Sequence, residues 1–112
     1  MVGAILIAVA VSSLHLTSAS GDIVEVDYSP DVSSVDATAE AQRMADFIRL
    51  DLCGRDPDPC PSGAPLHISV SLAKQYCLAD VALRYWYRCD SIGRPFRDDN
   101  PDDLEIIEPA RR

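Results

Sequence analysis

The sequence predicts a small α+β domain in which one amphipathic helix packs on a short antiparallel sheet, two disulfides stabilise the fold and a disordered acidic tail follows. Three observations support this fold class. Apolar residues recur at helical spacing between Ala37 and Leu52. Apolar and polar residues alternate from Leu66 to Ala73, as in a half-buried strand. Four cysteines lie in a chain of 112 residues, and an even number in so short a chain is typical of disulfides.

The first stretch, residues 1–20, predicts a signal peptide. Residues 2–11 form an apolar run of the length of a signal's hydrophobic region, and the run is too short for a membrane span, which needs about 20 apolar residues. Thr17 and Ala19 are small residues suited to a cleavage site, so we expect cleavage near Ala19 or Ser20. Because no Lys or Arg precedes the run, an uncleaved hydrophobic helix is the alternative. Cleavage would leave a disulfide-bonded domain at 21–95 and an acidic flexible tail at 96–112.

The helix is predicted over residues 34–52. Ser33 and Asp36 fit a capping box, in which hydroxyl and carboxylate each accept a backbone N–H that the helix leaves unpaired. One face of this helix is apolar and is expected to pack on the core. That face consists of Ala37, Ala41, Met44, Ala45, Ile48 and Leu52.

Charged residues and a glycine mark the exposed side and the end of this helix. Glu40 with Arg43 and Asp46 with Arg49 have the spacing at which opposite charges meet on a helix surface. Gly54 is the residue type that commonly ends a helix, and a proline-rich stretch follows it.

The strands are less uniform in their signals. Residues 66–73 alternate cleanly, and 22–28 is a candidate edge strand rich in β-branched residues and acids. Residues 77–89 are ambiguous, because they show an apolar face at strand spacing and a polar stripe at helical spacing. Their aromatic content favours a strand at 81–89, with a bend or turn between Lys74 and Asp80.

The disulfide pairing depends on residues 77–89. As one strand this segment would hold Cys77 and Cys89 about 40 Å apart, and as one helix about 18 Å apart. Bonded cysteines need Cα atoms within about 7 Å. We therefore expect Cys53 and Cys60 to pair with Cys77 and Cys89. A hairpin inside 77–89 is the one arrangement that would permit a Cys77–Cys89 bond.

Charge and cysteine usage constrain partners and compartment. The net charge of −8 argues against binding to nucleic acid or to an anionic membrane surface, and it allows a basic protein partner. The signal peptide and the expected disulfides predict a secreted protein, either extracellular or periplasmic.

The sequence predicts no enzyme activity, no cofactor and no metal. His67 is the only histidine after the predicted signal. The four cysteines are expected to be oxidised, so none would be the free thiolate that a Cys–His nucleophile needs. The chain has no C-x-x-C pair, no P-loop and no glycine-rich dinucleotide turn.

The clearest candidate contacts lie in the stretch RYWYR. In a strand, Tyr85 and Tyr87 face the core while Arg84, Trp86 and Arg88 face outward. Trp and Arg are frequent among the residues that dominate protein interfaces. The alternative is that the tryptophan covers the alanine-rich helix face.

The tail supplies a second set of candidate contacts. It carries six carboxylates and two prolines, and Leu104, Ile106 and Ile107 would be its apolar anchors on a basic surface. The segment GRPFRDDNPDDLEIIEP resembles the acidic C-terminal segments of leech hirudin-type thrombin inhibitors, with the match at residues 103–108. That resemblance implies docking along a basic exosite of a protease. The alternative is that the tail only keeps the protein soluble, as such charge runs commonly do. The four cysteines here depart from the hirudin pattern.

These features predict a secreted, non-enzymatic binding protein, an inhibitor or effector that recognises a basic protein surface. Two alternatives stay open. One is a periplasmic or envelope accessory protein with a structural or interaction role. The other is a peptide-hormone-like precursor, for which the terminal Arg111–Arg112 pair is the only indication.

Overall fold

A computed structural model describes residues 12–55, 60 and 64–98 of the chain. It shows one helix packed on one six-stranded sheet whose strands lie in chain order, which confirms the predicted α+β class. The elements are β1 (Ser12–Thr17), β2 (Ile23–Tyr28), α1 (Ser34–Arg55), β3 (His67–Ala73), β4 (Tyr76–Val81), β5 (Tyr85–Cys89) and β6 (Pro95–Arg97). All neighbouring strands are antiparallel except β2 and β3, which are parallel because α1 carries the chain back between them.

The core lies between α1 and one face of the sheet. The register places Val26, Val70, Ala79 and Tyr87 in one row across four strands, and each is at most 1% exposed. The predicted apolar helix face is confirmed, because all six of its members are fully buried. Phe47 adds an edge-on ring contact with Tyr87, with the ring centroids 5.9 Å apart.

The helix termini follow the sequence in part. Ser33 Oγ accepts the backbone N–H of Asp36 at 3.1 Å, as expected for the cap. Arg43 and Glu40 form the predicted ion pair. The helix does not end at Gly54, however, because it continues to Arg55. Arg49 also pairs with Asp22 rather than with Asp46.

Strand β1 lies within the predicted signal segment. It pairs antiparallel with β2, and its Leu14 and Leu16 are half-buried against the core. The predicted cleavage position near Ala19 or Ser20 falls in the turn between the two strands. Residues 1–11 lie outside the described part of the chain. At the other end, the predicted boundary between domain and tail at residue 95 lies inside β6.

The expected disulfide pairing is wrong. The bonds are Cys53–Cys60 and Cys77–Cys89, with Cα atoms 5.5 and 5.4 Å apart. Residues 77–89 are neither one strand nor one helix, because the chain reverses at 82–84 between β4 and β5. That reversal brings Cys77 opposite Cys89 across an antiparallel pair, which allows the bond between them. Both disulfides therefore join cysteines that are close in the sequence.

The β4–β5 turn is built from residue types that give no turn signal. Ala82 and Leu83 have φ of 57° and 54°, the left-handed region that favours Gly or Asn. Two hydrogen bonds hold the turn: Arg84 N donates to Val81 O at 3.1 Å, and Leu83 N donates to Asp80 Oδ2 at 2.8 Å. The backbone strain is therefore offset by contacts within the hairpin.

Asp22 forms the buried polar centre of the fold. Its side chain is fully buried, and it accepts hydrogen bonds from Arg49 Nε at 3.1 Å and from Leu66 N at 2.8 Å. A second guanidinium nitrogen of Arg49 also contacts it. Ser18 Oγ accepts the backbone N–H of Asp22 at 3.1 Å. Hydrogen bonding to Asp22 raises the pKa of Arg49 above its usual value, so this guanidinium stays charged.

We predict that Leu83→Gly stabilises the protein. Glycine relieves the left-handed strain, which costs about 1 kcal/mol for an ordinary residue. Leu50→Gly is the matched control, because Leu83 and Leu50 are 76% and 77% exposed but Leu50 lies inside the helix. There glycine should cost about 1 kcal/mol. Urea unfolding measures both, and a loss of stability in both variants would contradict the predicted turn strain.

We predict that Asp22→Asn lowers the free energy of unfolding by about 2 to 3 kcal/mol, because it leaves a largely buried guanidinium without its counter-charge. The control is Glu40→Gln, which breaks the half-exposed pair with Arg43 and should change stability by less than about 1 kcal/mol. Denaturant titration at neutral pH compares them. If both variants lose the same free energy of unfolding, the burial of the Asp22–Arg49 pair contributes no extra stability.

Candidate functional site

The sheet has a second face, on the side away from α1, which we call the outer face. Successive residues of a strand point to opposite faces, so the residues between the core positions lie here. The strand register brings them into two rows. One row is Glu25, Ser69, Asp80 and Trp86, and the next is Asp27, Ser71, Leu78, Arg88 and Phe96.

A groove of about 380 Å³ runs along the outer face where β2, β3 and β4 meet. Glu25 and Asp27 on β2 supply its acidic side, and both residues are exposed. Ser69 and Ser71 on β3 and Tyr76 on β4 supply hydroxyl groups. The groove therefore offers two carboxylates and several hydrogen-bonding oxygens to a ligand.

The acidic side of this groove also contacts β1. Ser13 Oγ donates a hydrogen bond to Asp27 Oδ1 at 2.7 Å. His15 Nε2 lies 3.9 Å from Glu25 Oε2, and both of these side chains are about two-thirds exposed or more. Exposed contacts of this kind contribute little to stability. The two carboxylates are thus only weakly engaged within the chain.

The structure places Trp86 and Arg88 on the outer face, while Tyr85 and Tyr87 are buried in the core. The alternative in which Trp86 covers the helix is not the arrangement observed. Trp86 lies in the same row as Glu25, three strands away, which is about 14 Å at the usual strand spacing. The tryptophan and the acidic groove therefore lie on the same face of the sheet, with the buried Asp80 between them in the row.

The two arginines of the predicted patch have different surroundings. Arg88 Nε lies 2.7 Å from Asp98 Oδ2, and its guanidinium sits over the Phe96 ring at 5.2 Å. Arg84 is exposed in the β4–β5 turn, over the Tyr85 ring at 5.3 Å. Arg88 thus holds Asp98, the residue after β6, against the sheet. Arg84 lies instead at the end of the sheet where β4 turns into β5.

The tail anchors Leu104, Ile106 and Ile107 lie outside the described residues. Sequence reasoning missed Glu25 and Asp27 as site residues, although their spacing on a candidate strand already put them on one face. The sequence does not show which strand lies beside β2. Only the pairing of β2 with β3 sets these acids beside Ser69 and Ser71.

A second cleft, of about 420 Å³, lies at the start of α1 beside the β5–β6 turn. Glu40, Cys77 and Cys89 line it, and their ligand-type atoms lie within 4.8 Å of one another. Both sulfurs belong to the Cys77–Cys89 disulfide and are not thiolates, which are the form that binds metal. We therefore assign no metal to this cluster.

The chain matches no protein-family model, no curated protein and no solved structure in comparisons with each. No helix among residues 12–55, 60 and 64–98 is both long enough and apolar enough to cross a membrane. What the protein binds is therefore inferred from its own residues and their placement.

The β5–β6 turn beside the second cleft carries an acid-sensitive group. Asp90 Oδ1 accepts backbone N–H groups from Arg94 at 2.9 Å and from Ile92 at 3.0 Å. These hydrogen bonds, the one from Arg94 above all, lower the pKa of Asp90 below its usual value of 3.8. The ionised carboxylate is therefore the form that holds the turn.

We predict that the turn weakens only in strong acid. Because the folded pKa is the lower one, the stabilisation by Asp90 is present above pH 3.8 and is lost as pH falls through the folded pKa. An NMR titration of the Ile92 and Arg94 amides should report a pKa below 3.8. In Asp90→Asn an amide oxygen still accepts the bonds but cannot titrate, so this pH dependence should vanish. A titration at or above the usual value would contradict the assignment.

Proposed function

We propose that the protein is a secreted, non-enzymatic binding protein that recognises a basic protein surface through the outer face of its sheet. The observation that carries the proposal is the exposed pair Glu25 and Asp27, side by side in a groove on the same face as Trp86. The net charge of −8 supports it, because it favours approach to a cationic partner.

The groove suits the side chain of an arginine or lysine. Glu25 and Asp27 are two residues apart on β2, so their side chains emerge about 7 Å apart on one face. A guanidinium or ammonium between them would meet both carboxylates, and the hydroxyls of Ser69 and Ser71 would accept its remaining N–H groups. Two such contacts place a basic residue more specifically than a diffuse negative surface.

Trp86 would supply the apolar part of the contact. It is half-buried on the outer face, so part of its surface is accessible to a partner. Arg88 would act mainly by holding Asp98 and β6 in place, and Arg84 would lie at the margin of the interface. In this proposal Leu104, Ile106 and Ile107 add apolar anchors from the tail.

Export is the setting that we propose for this function. The two disulfides agree with an oxidising compartment, where such bonds persist. The predicted signal would be removed near Ala19, ahead of Asp22 and all of the groove residues.

We predict that Glu25→Gln with Asp27→Asn weakens binding of a fluorescent octa-arginine peptide about fivefold to thirtyfold at low salt, since each exposed charge contact contributes about 0.5 to 1 kcal/mol. Asp36→Asn with Asp46→Asn is the matched control, because it removes the same charge from exposed helix positions. Trp86→Ala should also weaken binding. Fluorescence anisotropy measures all variants.

A truncation distinguishes the face from the tail. Deleting residues 99–112 keeps Asp98 and its contact with Arg88, which a deletion from residue 97 would destroy. If the truncation abolishes binding while the Glu25 and Asp27 changes do not affect it, the outer face is not the binding site. Equal losses in the face variant and the helix control would mean that only net charge matters.

A further inference from the structure

The two edges of the sheet differ in how they are protected. One edge is β6, which has only three residues and begins with Pro95. Short strands and prolines are the usual means of preventing another strand from pairing. The other edge is β1, and it lies entirely within the segment that the sequence predicts to be removed. Removal would make β2 the new edge.

The backbone of β2 is ready to pair on that side. Ile23 N donates to Leu66 O at 2.9 Å and Ser29 N donates to Leu72 O at 3.0 Å, both at the junction with β3. Backbone groups alternate in direction along a strand, so those of Val24 and Val26 point toward β1. Without β1 their N–H and C=O groups lose their partners.

The apolar side of β2 also loses its cover. Leu16 lies opposite Val24 and Leu14 opposite Val26, and both leucines pack against the core. The two valines are at most 1% exposed in the full chain. Strand β2 contains no proline and no lysine, and all six of its residues pair in regular register with β1. The features that protect β6, a short strand and a proline, are therefore absent from β2.

We propose that removal of the leader turns the edge of β2 into a docking site for an extended segment of the partner, which adds as an antiparallel strand where β1 lies in the full chain. This inference rests on the proposed function and specifies how the partner is bound. The segment would carry apolar residues at the positions of Leu14 and Leu16 and basic residues at those of Ser13 and His15. Main-chain hydrogen bonds supply affinity in this binding mode, and the alternating side chains supply specificity.

The charges on β2 select against other occupants. A second copy of the chain could pair with this edge through its own β2. Two registers keep the valines facing the core with the most overlap, and they set Glu25 opposite either Glu25 or Asp27 of the other copy. Like charges directly opposite one another destabilise a strand pair. The acidic tail of the chain meets the same repulsion. A basic strand gains two opposite-charge pairs instead.

The leader strand then acts as a built-in block. In the full chain β1 satisfies the β2 backbone and places a hydroxyl and an imidazole against the two carboxylates. Access to the edge begins only when the strand has left.

The test uses two forms of the protein: the naturally secreted product, whose N-terminus is read by mass spectrometry, and the unprocessed full chain with both disulfides formed. The probe is a peptide of the β1 sequence with Ser13→Lys and His15→Lys. One matched peptide carries glutamate at both positions. Another keeps the lysines but has Leu14→Pro, which prevents strand pairing.

We expect the secreted product to bind the lysine peptide at least tenfold more tightly than the glutamate or proline peptide. Hydrogen exchange should slow at the amides of Val24 and Val26 when the lysine peptide binds. The unprocessed chain should bind the lysine and proline peptides equally, without protection of Val24 and Val26. Glu25→Lys with Asp27→Lys should reverse the preference toward the glutamate peptide, whereas Asp36→Lys with Asp46→Lys should leave the lysine peptide preferred.

The outcomes separate the two proposals. If the lysine and proline peptides bind the secreted product equally, without protection of Val24 and Val26, docking at the edge is wrong while recognition of basic groups by the face stands. If no peptide binds but octa-arginine does, the edge proposal alone fails. If neither the peptides nor octa-arginine bind, both proposals fail. A secreted product that retains residues 12–17 would also overturn the edge proposal.

Discussion

The ion pair between Asp22 and Arg49 is the interaction on which the arrangement of this domain depends. It joins three parts of the chain: the residue before β2, the second half of α1 and, through Leu66 N, the start of β3. Parallel strands cannot be joined by a tight turn, so β2 and β3 meet only because the helix crosses back over the sheet. The buried carboxylate fixes where that crossing ends, because it binds both the second half of the helix and the residue before β3. A single residue thus sets the positions of both parallel strands relative to the helix.

Strand register carries this constraint to the candidate site. A slip of one residue in β2 would exchange its two faces and turn Glu25 and Asp27 toward the helix. The backbone bonds of Ile23 to Leu66 and of Ser29 to Leu72 hold the two ends of β2 against β3. The groove is therefore a consequence of the same contacts that close the core. Its acids are exposed because they alternate along β2 with Val24 and Val26, which face the core.

The sequence was sufficient for elements whose pattern is local and periodic. The stripe on α1 and the alternation of β3 repeat often enough to identify both elements. Alternation also placed Trp86 outward for a strand at 81–89, but a tryptophan that covers the helix stayed an open alternative. The β4–β5 turn could not be predicted, because Ala82 and Leu83 lack the residue types that left-handed turns favour. Missing that turn led directly to the wrong disulfide pairing. The partner of Arg49 was equally inaccessible, since a contact spanning 27 residues leaves no trace in local spacing.

The site shows the same division between local and long-range information. Alternation placed Arg88 on the outer face, but its ion pair with Asp98 depends on β6, a strand that sequence reasoning assigned mostly to the tail. The sequence shows the two acids on β2, but it does not show that the serines of β3 lie beside them and complete a groove. A binding surface assembled across strands requires the strand order, which composition and spacing do not contain.

The position of the ion pair also bears on what the protein can lose. Asp22 lies just beyond the predicted cleavage point, and its side-chain partners Arg49 and Leu66 lie farther along the chain. Ser18 is the one partner that would leave with the leader, and it is bound by the backbone N–H of Asp22 rather than by the carboxylate. Strand β1 contributes two half-buried leucines and exposed polar contacts, but no buried charge. The buried ion pair is therefore formed by residues that would remain after the predicted cleavage.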